Sequence, residues 1–163
     1  MEKVISIGKQ NFASLRENHY FFVDKSHFIK DWWENGDEIT LITRPRRFGK
    51  TLNMSMLDCF FSNKYAARGD LFEGLGVWKE EKYRELQGKY PVIFLSFAAV
   101  KADQLSEAKI QIKQQIARVY EENRYLLDGD LLSGNEKKAY NEVNLHMGDA
   151  EAAAALNNMS MYL

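Results

Sequence analysis

Three consecutive residues, Gly49, Lys50 and Thr51, could bind the phosphates of a nucleotide. They fit the last three fixed positions of the phosphate-binding loop G-x-x-x-x-G-K-[ST]. In that loop the lysine reaches the β- and γ-phosphates and the hydroxyl contacts Mg²⁺. The first glycine of the pattern is replaced by arginine. We therefore predict a variant Walker A loop whose nucleotide-binding residues are Arg44, Pro45, Arg46, Arg47, Phe48, Gly49, Lys50, Thr51 and Leu52, with Thr51 also contacting the metal of Mg-nucleotide.

The residues on both sides of this loop provide the context that a phosphate site requires. Residues 38–43, EITLIT, form a short apolar run that is typical of a buried strand in a parallel sheet. After the loop, Leu52, Met56 and Phe60 recur every four residues, which predicts a helix with one apolar stripe. This order of strand, loop and helix would direct backbone N–H groups and the positive end of the helix dipole at the phosphates.

The arginines of the loop leave three interpretations open. Together with Lys50, they place four cations within seven residues, which would repel one another unless a polyphosphate or nearby carboxylates neutralise them. They could instead point into solvent, or form a nucleic-acid-binding patch. A net charge of −1, from 22 basic and 23 acidic residues, does not support nucleic acid as a partner. An interaction domain with a vestigial P-loop is a further alternative.

The rest of the chain predicts an α/β fold, with a P-loop NTPase-like parallel sheet flanked by helices, an incomplete sheet and a helix-rich C-terminal portion. A second buried strand is expected at residues 90–97, YPVIFLSF. A helix capped by Asp24 or Ser26 should end at Gly36, and residues 64–90 should form helical turns and loop. Further helices are predicted at 103–125, after the capping box of Ser133 and Glu136, and after Asp149.

Composition favours one domain in a reducing compartment. The chain has 163 residues and one cysteine, so it contains no internal disulfide, and we predict a cytoplasmic location. No apolar stretch approaches the length of about 20 residues that a membrane-spanning helix needs, and no membrane partner is expected. Three scattered histidines and one cysteine provide no metal-site spacing, and no catalytic residue can be assigned.

Several segments resemble a known family. The segments FASLRENHYFFVDKSHFI, TRPRRFGKTLNMSML, LFEGLGV and YPVIFLSF, found between about Ile5 and Phe97, look like the N-terminal part of bacterial predicted AAA-ATPase-like proteins. Members of that family carry a YVDKT segment, an SRPRRFGKS loop and a C-terminal domain similar to PD-(D/E)xK nucleases. The resemblance implies that residues 44–51 bind ATP, with Lys50 on the phosphates and Thr51 on Mg²⁺. Asp24, Lys25 and Ser26 match the family's DK[ST], where we favour a helix cap over a nucleotide contact.

One part of the family pattern is missing. Members have a Walker B strand ending in acidic residues such as DEYD, and no apolar strand of this chain ends in paired acids. The resemblance therefore implies one partial domain over 1–163, truncated before Walker B, which binds ATP without its hydrolysis machinery. We expect an N-terminal strand and helix in residues 1–37, and the first strand, the P-loop and its helix in 38–63. A loop region and the second strand should follow in 64–101, and helices in 102–163. We also expect self-association through open sheet edges.

Overall fold

The computed structural model describes residues 4–45 and 47–163. These residues form seven α-helices, α1 to α7, at Phe12–Glu17, His27–Asn35, Lys50–Phe61, Glu81–Leu86, Leu105–Glu122, Gly134–Glu142 and Asp149–Tyr162. Short 3₁₀ helices lie between them at Asn63–Tyr65, Gly69–Phe72, Gly76–Lys79 and Arg124–Leu127. By its contacts the chain divides into two compact units, the first ending at Val92 and the second beginning at Ile93. In the described ranges, no helix has both the length and the apolar character needed to cross a membrane.

The parallel sheet expected from the sequence is not present in the described residues, so the α/β prediction is wrong. In the first predicted strand, Ile39 and Leu41 are 87% and 81% exposed. In the second, Tyr90 forms an isolated parallel bridge with Ser62. A strand is stable when its backbone groups pair with a neighbour and one face is covered. The two apolar runs are not paired in this way, and the expected self-association through sheet edges loses its structural premise.

The helices predicted from local signals are confirmed. Helix α2 ends at Gly36, whose φ of 64° gives the left-handed C-cap conformation. At the start of α6, Ser133 Oγ accepts a hydrogen bond from the Glu136 amide, and the Glu136 side chain accepts one from the Ser133 amide. The predicted capping box is therefore present. One boundary moves by a residue, because Gly148 is the N-cap of α7 and Asp149 is its first helical residue.

An aromatic cluster forms the core of the first unit. The side chains of Phe12, Phe60 and Phe72 are completely buried. The Phe72 ring stacks on Phe12 and meets the edge of Phe60, with 5.1 Å between ring centroids in both pairs. The Phe12 amide also donates a hydrogen bond of 3.0 Å to Ser55 Oγ on α3. The helix that follows the predicted phosphate loop is thus anchored to α1 and to the core.

Buried tyrosines connect three helices of the second unit. Tyr120 on α5 donates a hydrogen bond of 2.8 Å from its hydroxyl to the carbonyl of Ala155 on α7. Tyr140 on α6 donates one of 2.5 Å to the carbonyl of Tyr120, and their ring centroids are 4.6 Å apart. Because each hydroxyl must keep its proton to donate, this packing depends on the neutral form of both tyrosines.

We expect the second unit to lose stability in alkaline solution. Burial raises the pKa of Tyr140 to about 12 and also raises the pKa of Tyr120. An unfolded tyrosine has a pKa of about 10. The stabilising contribution is therefore complete below about pH 10 and is lost as the pH rises towards 12, by up to about 1.4 kcal/mol per pH unit for each tyrosine.

Urea unfolding at about pH 8 and pH 11, followed through the ¹³C-labelled ring of Tyr140, tests this expectation. The midpoint should be lower at the higher pH. The Tyr140→Phe variant, followed through the ring of Tyr120, should show a smaller fall, because only one of the two raised pKa values remains. Equal midpoints for the wild type at both pH values would contradict the predicted role of these tyrosines.

Candidate functional site

The predicted loop residues Gly49 and Lys50 lie where the chain turns into α3. Gly49 is the N-cap of α3, with φ 77° and ψ 19°, a left-handed conformation that glycine adopts without steric cost. Lys50 is the first helical residue. No side chain caps this end among the described residues, so the first-turn N–H groups lack the usual side-chain acceptor. Such a helix start attracts anions.

The side chain of Lys50 closes the loop. Lys50 Nζ donates a hydrogen bond to the carbonyl oxygen of Arg44, six residues earlier. Arg47 has a φ of 71°, which is uncommon for a residue with a side chain and marks a sharp turn of the loop. The bond from Lys50 thus joins the start of α3 to Arg44. Arg46 belongs to the predicted site but lies outside the described residues.

A pocket of about 730 Å³ lies between the loop and an N-terminal segment of the same unit. The predicted site residues in its wall are Arg47, Gly49, Lys50, Thr51 and Leu52. The opposite wall is formed by residues 7–10, which are Ile7, Gly8, Lys9 and Gln10. Arg44, Pro45 and Phe48 are exposed and are not part of the described lining. The volume falls within the range of about 300–1,000 Å³ found for small-molecule sites.

Two backbone contacts position residues 7–10 over the loop. The Val4 carbonyl accepts a hydrogen bond of 2.9 Å from the Phe21 amide, and α1 begins at Phe12, which is bound to Ser55 on α3. Residues 7–10 therefore run between two fixed points. Sequence reasoning missed this wall, although Gly8, with a φ of 81°, is a local turn signal.

The pocket has a positive lining. Lys9, Arg47 and Lys50 contribute cations to its wall, and the described lining contains no carboxylate. Lys9 also lies over the ring of Tyr20, with Nζ 5.7 Å from the ring centroid. A cavity with cationic side chains and a helix N-terminus favours a polyanionic ligand.

The Asp24–Ser26 segment does not form the side-chain cap that the sequence predicts. Ser26 occupies the N-cap position of α2, but its Oγ accepts a hydrogen bond of 3.1 Å from the amide of Val77. Asp24 Oδ2 accepts one of 2.7 Å from the amide of Gly76, and its Oδ1 accepts one of 2.8 Å from the amide of Ser26. Both side chains therefore hold the 3₁₀ helix Gly76–Lys79.

The ionisation of Asp24 supports this bonding role. Partial burial raises the pKa of Asp24, but hydrogen bonds from Ser26 and Gly76 favour the carboxylate more strongly and lower the pKa below its usual value. Asp24 is therefore an anion at neutral pH whose two oxygens both accept backbone hydrogen bonds. A Cβ on Gly76 would lie 3.4 Å from Asp24 Oδ2, so the glycine allows this close approach.

No other reactive cluster is found in the described residues. Burial raises the pKa of the Cys59 thiol to about 11, which keeps it protonated and a poor nucleophile. In residues 4–45 and 47–163, no three side chains of His, Cys, Asp or Glu come together in an arrangement that could hold a metal ion. The pocket beside the loop remains the candidate site.

Comparison with known proteins agrees with the sequence resemblance. A sequence profile of the family described as "Predicted AAA-ATPase" matches residues 6–154. The chain is also similar to an "Uncharacterized protein in vnfD 5'region" of Azotobacter chroococcum mcd 1. The two are 36% identical over 96 residues, which are 58% of this chain and 17% of that protein. The match thus spans less than a fifth of that relative. No solved structure matches the chain significantly.

Proposed function

Because the chain belongs to the family described as "Predicted AAA-ATPase", we propose that it binds ATP, as its complex with Mg²⁺, in the pocket between residues 7–10 and the 47–52 loop. The lining of the pocket supports this proposal, because Gly49, Lys50 and Thr51 form part of it at the start of α3. An uncapped helix N-terminus and a lysine at its first position bind phosphate oxygens through N–H groups and positive charge.

Each residue of the loop has a distinct role in this proposal. Gly49 allows a phosphate to approach the backbone, because no side chain blocks it. Lys50 Nζ would exchange the carbonyl of Arg44 for phosphate oxygens, which are better acceptors because they are charged. Arg47, in the same wall, adds a second cation to the site.

Thr51 would contribute its hydroxyl to Mg²⁺. The described residues hold no group of three His, Cys, Asp or Glu side chains suited to a metal ion. Mg²⁺ commonly binds through nucleotide phosphates and one or two protein ligands rather than in an all-protein cage. When bound, the ion would neutralise part of the phosphate charge. We therefore expect nucleotide and metal to bind together.

We expect binding without hydrolysis from these residues. Hydrolysis requires a group that orients the attacking water, and in P-loop proteins an acidic residue also helps to hold the metal. The described pocket wall contains no carboxylate. The sequence also has no apolar strand that ends in paired acids. In this proposal the chain binds the nucleotide but does not hydrolyse it.

Titration of MgATP into the wild type, Lys50→Ala and Lys89→Ala tests the proposal. Lys89 is an exposed lysine of the same unit that does not line the pocket. Loss of a charge-assisted contact should weaken binding about 10- to 100-fold in Lys50→Ala, whereas Lys89→Ala should match the wild type. Calorimetry measures both dissociation constants. Equal affinities in all three proteins would refute the proposed site.

A further inference from the structure

We propose that Lys25 is a second lysine that binds the phosphates of the nucleotide, beside Lys50. This inference rests on the proposed function and assigns a role to a residue outside the loop. Lys25 precedes α2, and it belongs to a segment whose neighbours are bound to the 3₁₀ helix Gly76–Lys79. A phosphate group held at the start of α3 would therefore meet ammonium groups from two separate parts of the chain.

The position of the Lys25 ammonium group is the first observation. A Cβ placed on Gly49 would lie 3.8 Å from Lys25 Nζ. The ammonium group of Lys25 therefore lies against Gly49, the N-cap residue of α3. Lys25 itself is not in the described lining, but Gly49, against which its ammonium lies, and Lys50 both line the pocket.

The backbone on each side of Lys25 is held in place. Asp24 accepts hydrogen bonds from the amides of Ser26 and Gly76, and buried Ser26 accepts one from the amide of Val77. These bonds hold the backbone on both sides of Lys25. From this backbone the Lys25 side chain extends to Gly49 of the loop. A preorganised backbone reduces the entropy that a lysine loses when it binds a ligand.

Two other lysines of the first unit have carboxylate partners, whereas Lys25 has none among the described residues. Lys30 is paired with Glu80, and Lys82 with Glu34. Within the described parts of the chain, Lys25 forms no ion pair, and its carboxylate neighbour Asp24 is bound to backbone amides. Its exposed ammonium lies against Gly49, the residue that precedes Lys50 in the loop. A polyphosphate has the charge and the spacing of oxygens to accept from both lysines.

Dissociation constants measured by calorimetry for the Mg²⁺ complexes of ATP and inorganic tripolyphosphate, and for adenosine, test this inference. Lys25→Met should weaken both phosphate ligands about tenfold and leave adenosine unchanged, because one charge-assisted contact is lost. Lys25→Arg should recover part of the affinity. Lys89→Met, which removes the same charge from an exposed site outside the pocket, should match the wild type.

The outcomes separate this inference from the proposed function. Lys25→Met with wild-type affinity for ATP, beside a weakened Lys50→Ala, would refute the role of Lys25 and leave the site intact. An equal loss for adenosine and for tripolyphosphate would show that Lys25 only shapes the pocket, which also refutes it. A wild type that binds ATP no better than Lys50→Ala refutes the proposed function and with it this inference. The melting temperature without ligand should be alike in Lys25→Met and the wild type.

Discussion

Replacing Phe72 with alanine is expected to lower the free energy of unfolding of the first unit by about 3–5 kcal/mol, the usual cost of removing a buried phenylalanine. The Phe72 side chain is 0% exposed. Its ring contacts Phe12, Phe60 and Trp78, with centroids 5.1, 5.1 and 5.9 Å away. Phe72 therefore joins α1, α3 and the 3₁₀ helix Gly76–Lys79, and alanine would leave a cavity among them.

Tryptophan fluorescence during urea unfolding measures this effect. All three tryptophans of the chain, Trp32, Trp33 and Trp78, belong to the first unit, so the signal reports on that unit. Phe21→Ala is the matched control, because Phe21 is 49% exposed and its removal should cost about 1 kcal/mol or less. Similar losses in both variants would contradict the assignment of Phe72 to the centre of the core.

The second large effect is expected from Gly88→Ala. Gly88 has a φ of 69°, and its amide donates a hydrogen bond of 2.8 Å to the carbonyl of Phe60. A Cβ at this position would lie 2.3 Å from the Cα of Ala66, far inside van der Waals contact. The left-handed conformation costs alanine about 1–2 kcal/mol, and forcing the backbone apart adds about 1–3 kcal/mol.

Gly74→Ala separates these two costs. Gly74 has a φ of 77°, similar to that of Gly88, but a Cβ there would have no heavy atom within 4 Å. Its replacement should cost only the conformational part, about 1–2 kcal/mol. The difference in urea midpoint between the two variants therefore measures the clash with Ala66. If Gly74→Ala is as damaging as Gly88→Ala, close packing is not the reason for glycine at position 88.

Local signals were sufficient for the helices α2, α3, α5, α6 and α7. Apolar spacing predicted α3, and Gly49 with Lys50 marked where it begins. The capping box at Ser133 marked the start of α6. These features depend on residues within one or two helical turns, so the sequence contains them directly. The family was also predicted from the sequence, because its motifs are continuous segments, and the match over residues 6–154 confirms it.

The strands were predicted wrongly because a strand depends on distant partners. Residues 38–43 have the apolar character of a buried strand, yet Ile39 and Leu41 are exposed. Hydrogen bonds between strands join residues that are far apart in the chain, and apolar composition alone does not determine whether such a partner lies beside them. The same limitation explains why the roles of Asp24 and Ser26 were misjudged. Asp24 Oδ2 and Ser26 Oγ accept hydrogen bonds from amides more than 50 residues away, rather than from the first turn of α2.

The sequence by itself determined the family and the helices α2, α3, α5, α6 and α7, and it predicted phosphate-binding residues at the start of α3. Only the tertiary structure decided that residues 7–10 form the opposite wall of the pocket and that Lys25 lies against Gly49. The physical reason is that helix starts and turns follow from interactions between near neighbours, whereas a binding pocket is formed by packing between distant segments. Here the packing of Phe12 and Ser55, and the bonds of Asp24 and Ser26 to the 3₁₀ helix Gly76–Lys79, bring those segments to the loop.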